Sequence, residues 1–137
     1  MRTVQEILGA KPAIYDSISP DTTVIDALTM LNSLNRSYVV VKESDAYKGI
    51  FCEKDYTRNV ILRGRSSRNT TVREVMTVDL PTVSPDDTVP HCVEKLMLHK
   101  CRYLLVFDEG DFKGVITMQD LLREALRSRV LSPESVY

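Results

Sequence analysis

The sequence predicts an α/β (α+β) fold made of two copies of one β-α-β-β-α unit, and three observations predict it. Sliding the chain on itself by 65 positions lays residues 15–60 on 80–125 without a gap. Twelve identical pairs result, among them Ser19/Ser84, Pro20/Pro85, Asp21/Asp86, Tyr38/Tyr103, Gly49/Gly114, Asp55/Asp120 and Arg58/Arg123. The register extends backward at an offset of 68, where Thr3–Leu8 match Thr71–Met76, so the first copy carries a three-residue insertion. Within each copy, helical spacing gives way to two short apolar runs and then to helical spacing again. A unit of about 60 residues is marginal alone and gains by burying a face against its twin.

Taken in order, a short first strand is expected around Ser17–Ser19. Ser19-Pro20-Asp21-Thr22-Thr23 then supplies turn and helix-start chemistry. Val24, Ala27, Leu28 and Leu31 recur at helical spacing as far as Asn35. Tyr38-Val39-Val40-Val41 is a β-branched apolar run, Glu43-Ser44-Asp45-Ala46 a polar turn, and Tyr47–Cys52 a second strand, together a hairpin. Glu53–Leu62 reads as a helix with Tyr56, Val60 and Ile61 inward, closed by Gly64. The linker Arg65–Thr71 leads to the second copy. There a strand is expected near Thr82–Ser84, a helix carries Val89, Val93 and Leu96, strands run over Tyr103–Phe107 and Phe112–Ile116, and a helix over Asp120–Leu126. The expected divisions are 1–68, 69–130 and a tail, 131–137, whose patternless residues imply fraying or a partner contact.

The 137 residues suit one module, and 43% hydrophobic content supplies a core. Eighteen basic against nineteen acidic residues leave no global field to draw the protein to nucleic acid or a membrane surface, so any anion site is local. Three cysteines without paired spacing do not make a disulfide framework and point to a reducing, cytoplasmic setting. The opening residues lack the apolar run of a signal peptide, and no stretch approaches the length of a membrane span.

Chemistry concentrates at the strand-to-helix junction Gly114–Asp120. Thr117 followed three residues later by Asp120 fits a capping box, in which both side chains serve the helix start. The same geometry lets a carboxylate accept both hydroxyls of a ribose, while backbone N–H groups and nearby cations take a phosphate. The two readings are compatible.

These features resemble the tandem cystathionine-β-synthase (CBS) domain pair, or Bateman module. The resemblance covers about residues 1–128 and rests on Gly49–Asp55, Gly114–Asp120, the two Ser-Pro-Asp helix starts and Thr71–Thr77. Glu53–Arg58 through Gly64–Arg68 is similar to a subgroup of small stand-alone pairs. It implies two repeats packed with pseudo-two-fold symmetry, no catalysis and no required cofactor. It also implies a cleft binding AMP, ADP, ATP, NAD or S-adenosylmethionine, AMP first among them, and a homodimer.

Carried over by position, the hydroxyl and the ribose-binding carboxylate fall on Thr117 and Asp120. Their first-copy counterparts are Cys52 and Asp55, where a thiol is the weaker hydrogen-bond partner. The phosphate end falls on Lys54, Arg58, Arg65, Ser66, Ser67 and Arg68, whose plainer reading is a solvated basic helix end. The chain departs from the family pattern at Lys54, often Arg, at Ser37, often Gly, and at Arg102-Tyr103-Leu104-Leu105, where His and Pro are common. Tyr103 is still expected beside an adenine.

His91-Cys92 and His99-Lys100-Cys101 lack the spacing of a metal site. A redox role for Cys52 requires a thiol with a lowered pKa. The expectation is therefore a sensor that binds an adenosine nucleotide and acts on an unidentified effector protein. The alternative is a nucleotide-free scaffold that presents a dimer surface.

Overall fold

Each copy begins with the same local logic, a Ser-Pro-Asp turn whose following threonine caps a helix. In the computed structural model, which describes residues 2–12 and 15–127, Thr23 caps α2 (Val24–Leu34) by accepting from the Asp26 N–H. Thr88 caps α5 (Val89–His99) by accepting from the His91 N–H. Both helices stop on a residue in the left-handed region, Asn35 and Lys100, each at φ 52°. These stops turn the chain into the hairpins β2 (Tyr38–Glu43) with β3 (Ala46–Cys52) and β5 (Tyr103–Asp108) with β6 (Asp111–Thr117). The hairpin turns place Ser44-Asp45 and Glu109-Gly110 at positive φ, as two-residue loops that follow the strand twist require.

Short strands β1 (Ser17–Ile18) and β4 (Thr82–Val83) pair parallel to β2 and β5, giving two three-stranded sheets of order β1-β2-β3 and β4-β5-β6. The matching registers include Tyr38↔Cys52 and Tyr103↔Thr117, and each hairpin slips register after its valine, Val41 or Val106. The helices α3 (Glu53–Asn59) and α6 (Met118–Arg127) follow the hairpins directly. The helix expected over Glu53–Leu62 ends early: Val60 departs to φ −118°, ψ −71°, and Ile61–Arg63 form a separate 3₁₀ turn closed by Gly64 at φ 68°. As a result Val60 stays in the core while Ile61, expected to face inward, is 54% exposed. Val93 is likewise 38% exposed; the inward position one residue earlier is taken by Cys92, the counterpart of the small Ala27.

Two further short helices carry no strong periodicity and are set by their caps. These are α1 (Val4–Gly9) and α4 (Val72–Val75), each opened by a threonine three residues before a glutamate, Thr3/Glu6 and Thr71/Glu74. The first N–H groups of a helix lack internal partners. Here the turn before the neighbouring long helix supplies them. Val72 and Arg73 donate to the carbonyls of Thr22 and Pro20, and Val4 and Gln5 donate to those of Asp87 and Pro85.

This docking fixes two compact units, one from residues 2–12 with 80–127 and one from 15–79. The segment that opens each sequence copy is thus packed in the unit formed by the other copy's hairpin. In the first unit Val4 and Ile7 join Leu96, Leu104, Val106 and Ile116 in one core. In the second, Val72 and Val75 join Leu31, Val39, Val41 and Phe51. The tail expectation at 131–137 lies outside the described residues. No helix among the described residues is long and apolar enough to cross a membrane.

Candidate functional site

In the unit holding residues 80–127, strand register and helix cap bring three of the expected residues together. Tyr103 opens β5 directly opposite Thr117, the last residue of β6, and Thr117 precedes α6. The Thr117 hydroxyl accepts from the Asp120 N–H at 3.1 Å, and Asp120 Oδ2 accepts from the Thr117 N–H at 2.9 Å. The capping box expected from spacing is therefore present. It holds Asp120 only 6% exposed.

A buried carboxylate needs partners for its charge. For Asp120 one comes from far away in sequence: the Lys11 ammonium lies 2.8 Å from Oδ2 and also donates to the Val115 carbonyl at 2.9 Å. Arg123, one turn along α6, reaches Oδ1 only at 3.5 Å. One turn beyond Asp120, the buried Glu124 accepts from Arg2 at 2.9 Å. Two acids on the inner face of α6 thus hold the two cations that flank α1.

The other unit repeats this site with different chemistry. Asp55 is 5% exposed; its Oδ2 accepts from the Cys52 N–H at 2.9 Å and lies 3.5 Å from the Cys52 sulfur. Its Oδ1 accepts from the Thr77 hydroxyl at 2.6 Å. Thr77 is itself fixed to β3, since its N–H and C=O both pair with Ile50 at 2.9 Å. Burial pushes the Asp55 carboxyl above its ordinary value, opposed by the Thr77 hydroxyl, by Cys52 and by the charge of Arg58. Burial and then the Asp55 charge push the Cys52 thiol up as well, the direction opposite to that of a reactive thiolate.

Asp55 turns inward, whereas the expected phosphate-binding residues of its own unit lie largely at the surface. Lys54 and Arg58 lie four positions apart on the exposed side of α3. Beyond Gly64, Arg65, Ser66 and Arg68 are exposed and Ser67 is half-buried. The segment is ordered by its own bonds: Ser66 accepts from the Arg68 N–H at 3.2 Å, and the Ser67 carbonyl accepts from Ile25 at 3.0 Å. Among the described residues no group of three or more His, Cys, Asp and Glu is arranged to hold a metal ion.

Sequence reasoning gave no site role to Lys11, Thr77 or Arg123. The only signal for Lys11 was the three-residue insertion that lies between Leu8 and Tyr15 in the first copy, because that is where the segment departs from its counterpart. Thr77 closes the Thr71–Thr77 stretch that carried part of the resemblance, to which no chemistry was attached.

Comparison with known proteins follows the same outline. The family model for the CBS domain matches twice, over residues 4–61 and 72–127. A mitochondrial CBS domain-containing protein of Arabidopsis thaliana is 31% identical over 130 residues, which are 88% of this chain and 63% of that one. The chain thus spans less than two thirds of that relative's length. A CBS domain-containing protein of Bacillus subtilis is 25% identical over 121 residues, 88% of this chain and 84% of its own. The solved structure of a protein with CBS domains from Burkholderia ambifaria MC40-6 superposes with a TM-score of 0.85 at 32% identity, covering 93% of this chain and 96% of that one.

Proposed function

Because the chain belongs to the CBS-domain family and carries two such domains in tandem, we propose that it is a non-catalytic regulatory module whose ligand is an adenosine nucleotide of the AMP, ADP, ATP or NAD type. The observation that carries this reading is the Asp120 carboxylate. It is preorganised by the Thr117 cap, and among the described residues its Oδ1 has only a 3.5 Å arginine contact, which leaves acceptor capacity for a ribose hydroxyl. Its counterpart Asp55 supports the contrast, since a hydroxyl already closes Oδ1 at 2.6 Å. Tyr103, opposite Thr117, offers a ring to an adenine. In the other unit, Lys54, Arg58, Arg65 and Arg68 with the hydroxyls of Ser66 and Ser67 are proposed as phosphate-binding groups, where charge-assisted bonds are strong.

As a sensor, the module shifts an equilibrium by the difference in nucleotide affinity between two states, and an effector protein reads the result. The proposal includes a homodimer in the cytoplasm. The exposed apolar residues Met118, Leu122 and Leu126, at i, i+4 and i+8 along α6, favour association with a second copy. Those same residues favour the second reading, a nucleotide-free scaffold.

Calorimetry with AMP, ADP, ATP, NAD and S-adenosylmethionine tests the proposal. At least one binds the wild-type protein, and Asp120→Ala, with unchanged circular dichroism, loses that binding. Absence of binding by all five at millimolar concentration overturns the sensor in favour of the scaffold. Sedimentation with and without nucleotide reads the dimer.

A further inference from the structure

We infer that Lys11 is an internal competitor for the Asp120 carboxylate, so that the vicinal diol of a nucleoside engages this acid only by displacing the lysine, and Lys11 sets the affinity of this end of the site. The inference rests on the nucleotide reading above and adds the residue that tunes it. Asp120 Oδ2 already accepts twice, from the Thr117 N–H at 2.9 Å and from Lys11 at 2.8 Å. A vicinal diol donates one O–H to each carboxylate oxygen, so full engagement requires Oδ2 to give up one of those donors. The backbone donor is fixed by the helix cap. The ammonium is not.

The two units show why Lys11 is the movable part. In the other unit, Thr77 makes both contacts of this kind with fixed groups: its N–H bonds the Ile50 carbonyl and its hydroxyl bonds Asp55. In this unit one ammonium does both, bonding Asp120 and the carbonyl of Val115, the residue that matches Ile50 in the sequence repeat. Thr77 is locked to its strand by two 2.9 Å backbone bonds. Lys11 is tethered by a flexible four-carbon stem and its side chain is 26% exposed, so its head can be released to water. One carboxylate is therefore closed permanently and the other by a removable cation. The Arg2–Glu124 bond at the opposite end of α1 is independent of Asp120, and it keeps the helix docked when Lys11 lets go.

Titration of AMP and of its 2′,3′-dideoxy analogue into wild-type, Lys11→Met and Lys11→Arg proteins tests the inference. Lys11→Met binds AMP about tenfold more tightly than wild type, because the competing contact is gone. The analogue, which has no diol, gains nothing, and Lys11→Arg stays close to wild type. The direction is discriminating, since loss of a cation otherwise weakens attraction for a phosphate. Equal or weaker AMP binding by Lys11→Met overturns the inference while leaving the nucleotide reading intact. No AMP binding by either protein removes AMP as the ligand and overturns the inference with it.

Discussion

Replacing Thr77 with valine removes one hydroxyl, keeps the shape, and leaves the backbone pairing with Ile50 in place. The lost group is the 2.6 Å donor to Asp55 Oδ1, on a carboxylate that is 5% exposed. A hydrogen bond to a charged group contributes about 1.5–3 kcal/mol, against about 0.5–1.5 kcal/mol when both partners are neutral. Thr77→Val therefore costs about 2 kcal/mol when Asp55 is ionised and about 1 kcal/mol or less when it is protonated. The sign with pH follows from the raised carboxyl. A carboxyl whose folded pKa exceeds the unfolded one stabilises the fold below the unfolded value and loses that contribution as pH rises through the folded value. Removing Thr77 raises the folded pKa further, because the hydroxyl favours the ionised form. The penalty of the substitution thus grows from acid to neutral pH. Urea unfolding of both proteins at about pH 4 and about pH 7 measures it. A penalty that is flat with pH, or below about 0.5 kcal/mol at neutral pH, refutes the reasoning.

Gly49→Ala brings a Cβ within 2.8 Å of the Thr77 carbonyl and 3.1 Å of the Met76 sulfur. Backbone cannot swing aside, so a loss of about 2–3 kcal/mol and faster exchange of the Thr77 N–H are expected in unfolding and exchange measurements. The matching Gly114→Ala meets only a Leu8 methyl at 3.0 Å, and its cost comes instead from φ +152°. Cys52 in the folded protein should react with iodoacetamide at least about tenfold more slowly than free cysteine, since burial and Asp55 both disfavour its thiolate. A rate equal to that of free cysteine would contradict this, and unfolding in urea should restore it.

Local chemistry was readable from the chain and distant partnerships were not. The Thr117–Asp120 cap follows from three-residue spacing, and the hairpin turns from polar runs between β-branched ones, because each depends on neighbours in sequence. The error at Val93 came from choosing the larger side chain over position: Cys92 is small but sits on the face that Ala27 occupies in the first copy. The break at Val60 likewise left no mark in the hydrophobic spacing, which continues smoothly into Ile61 and Leu62. What escaped most completely was the completion of each carboxylate. Lys11 and Asp120 are separated by 109 positions and Thr77 and Asp55 by 22, and no periodicity links them. For the candidate site this means that the acid and its cap were legible, while the group that gates it was not.

The docking of α1 has a consequence for biosynthesis. The unit of residues 15–79 is contiguous, so all its parts have been synthesised before translation of the second hairpin begins. Val4 and Ile7 must wait, exposed, for Leu104 and Ile116 to arrive about a hundred residues later. Nascent chains in which residue 79 is followed by an unstructured linker long enough to carry it clear of the ribosome should therefore protect residues 15–79 from proteolysis while leaving the first dozen residues open to cleavage.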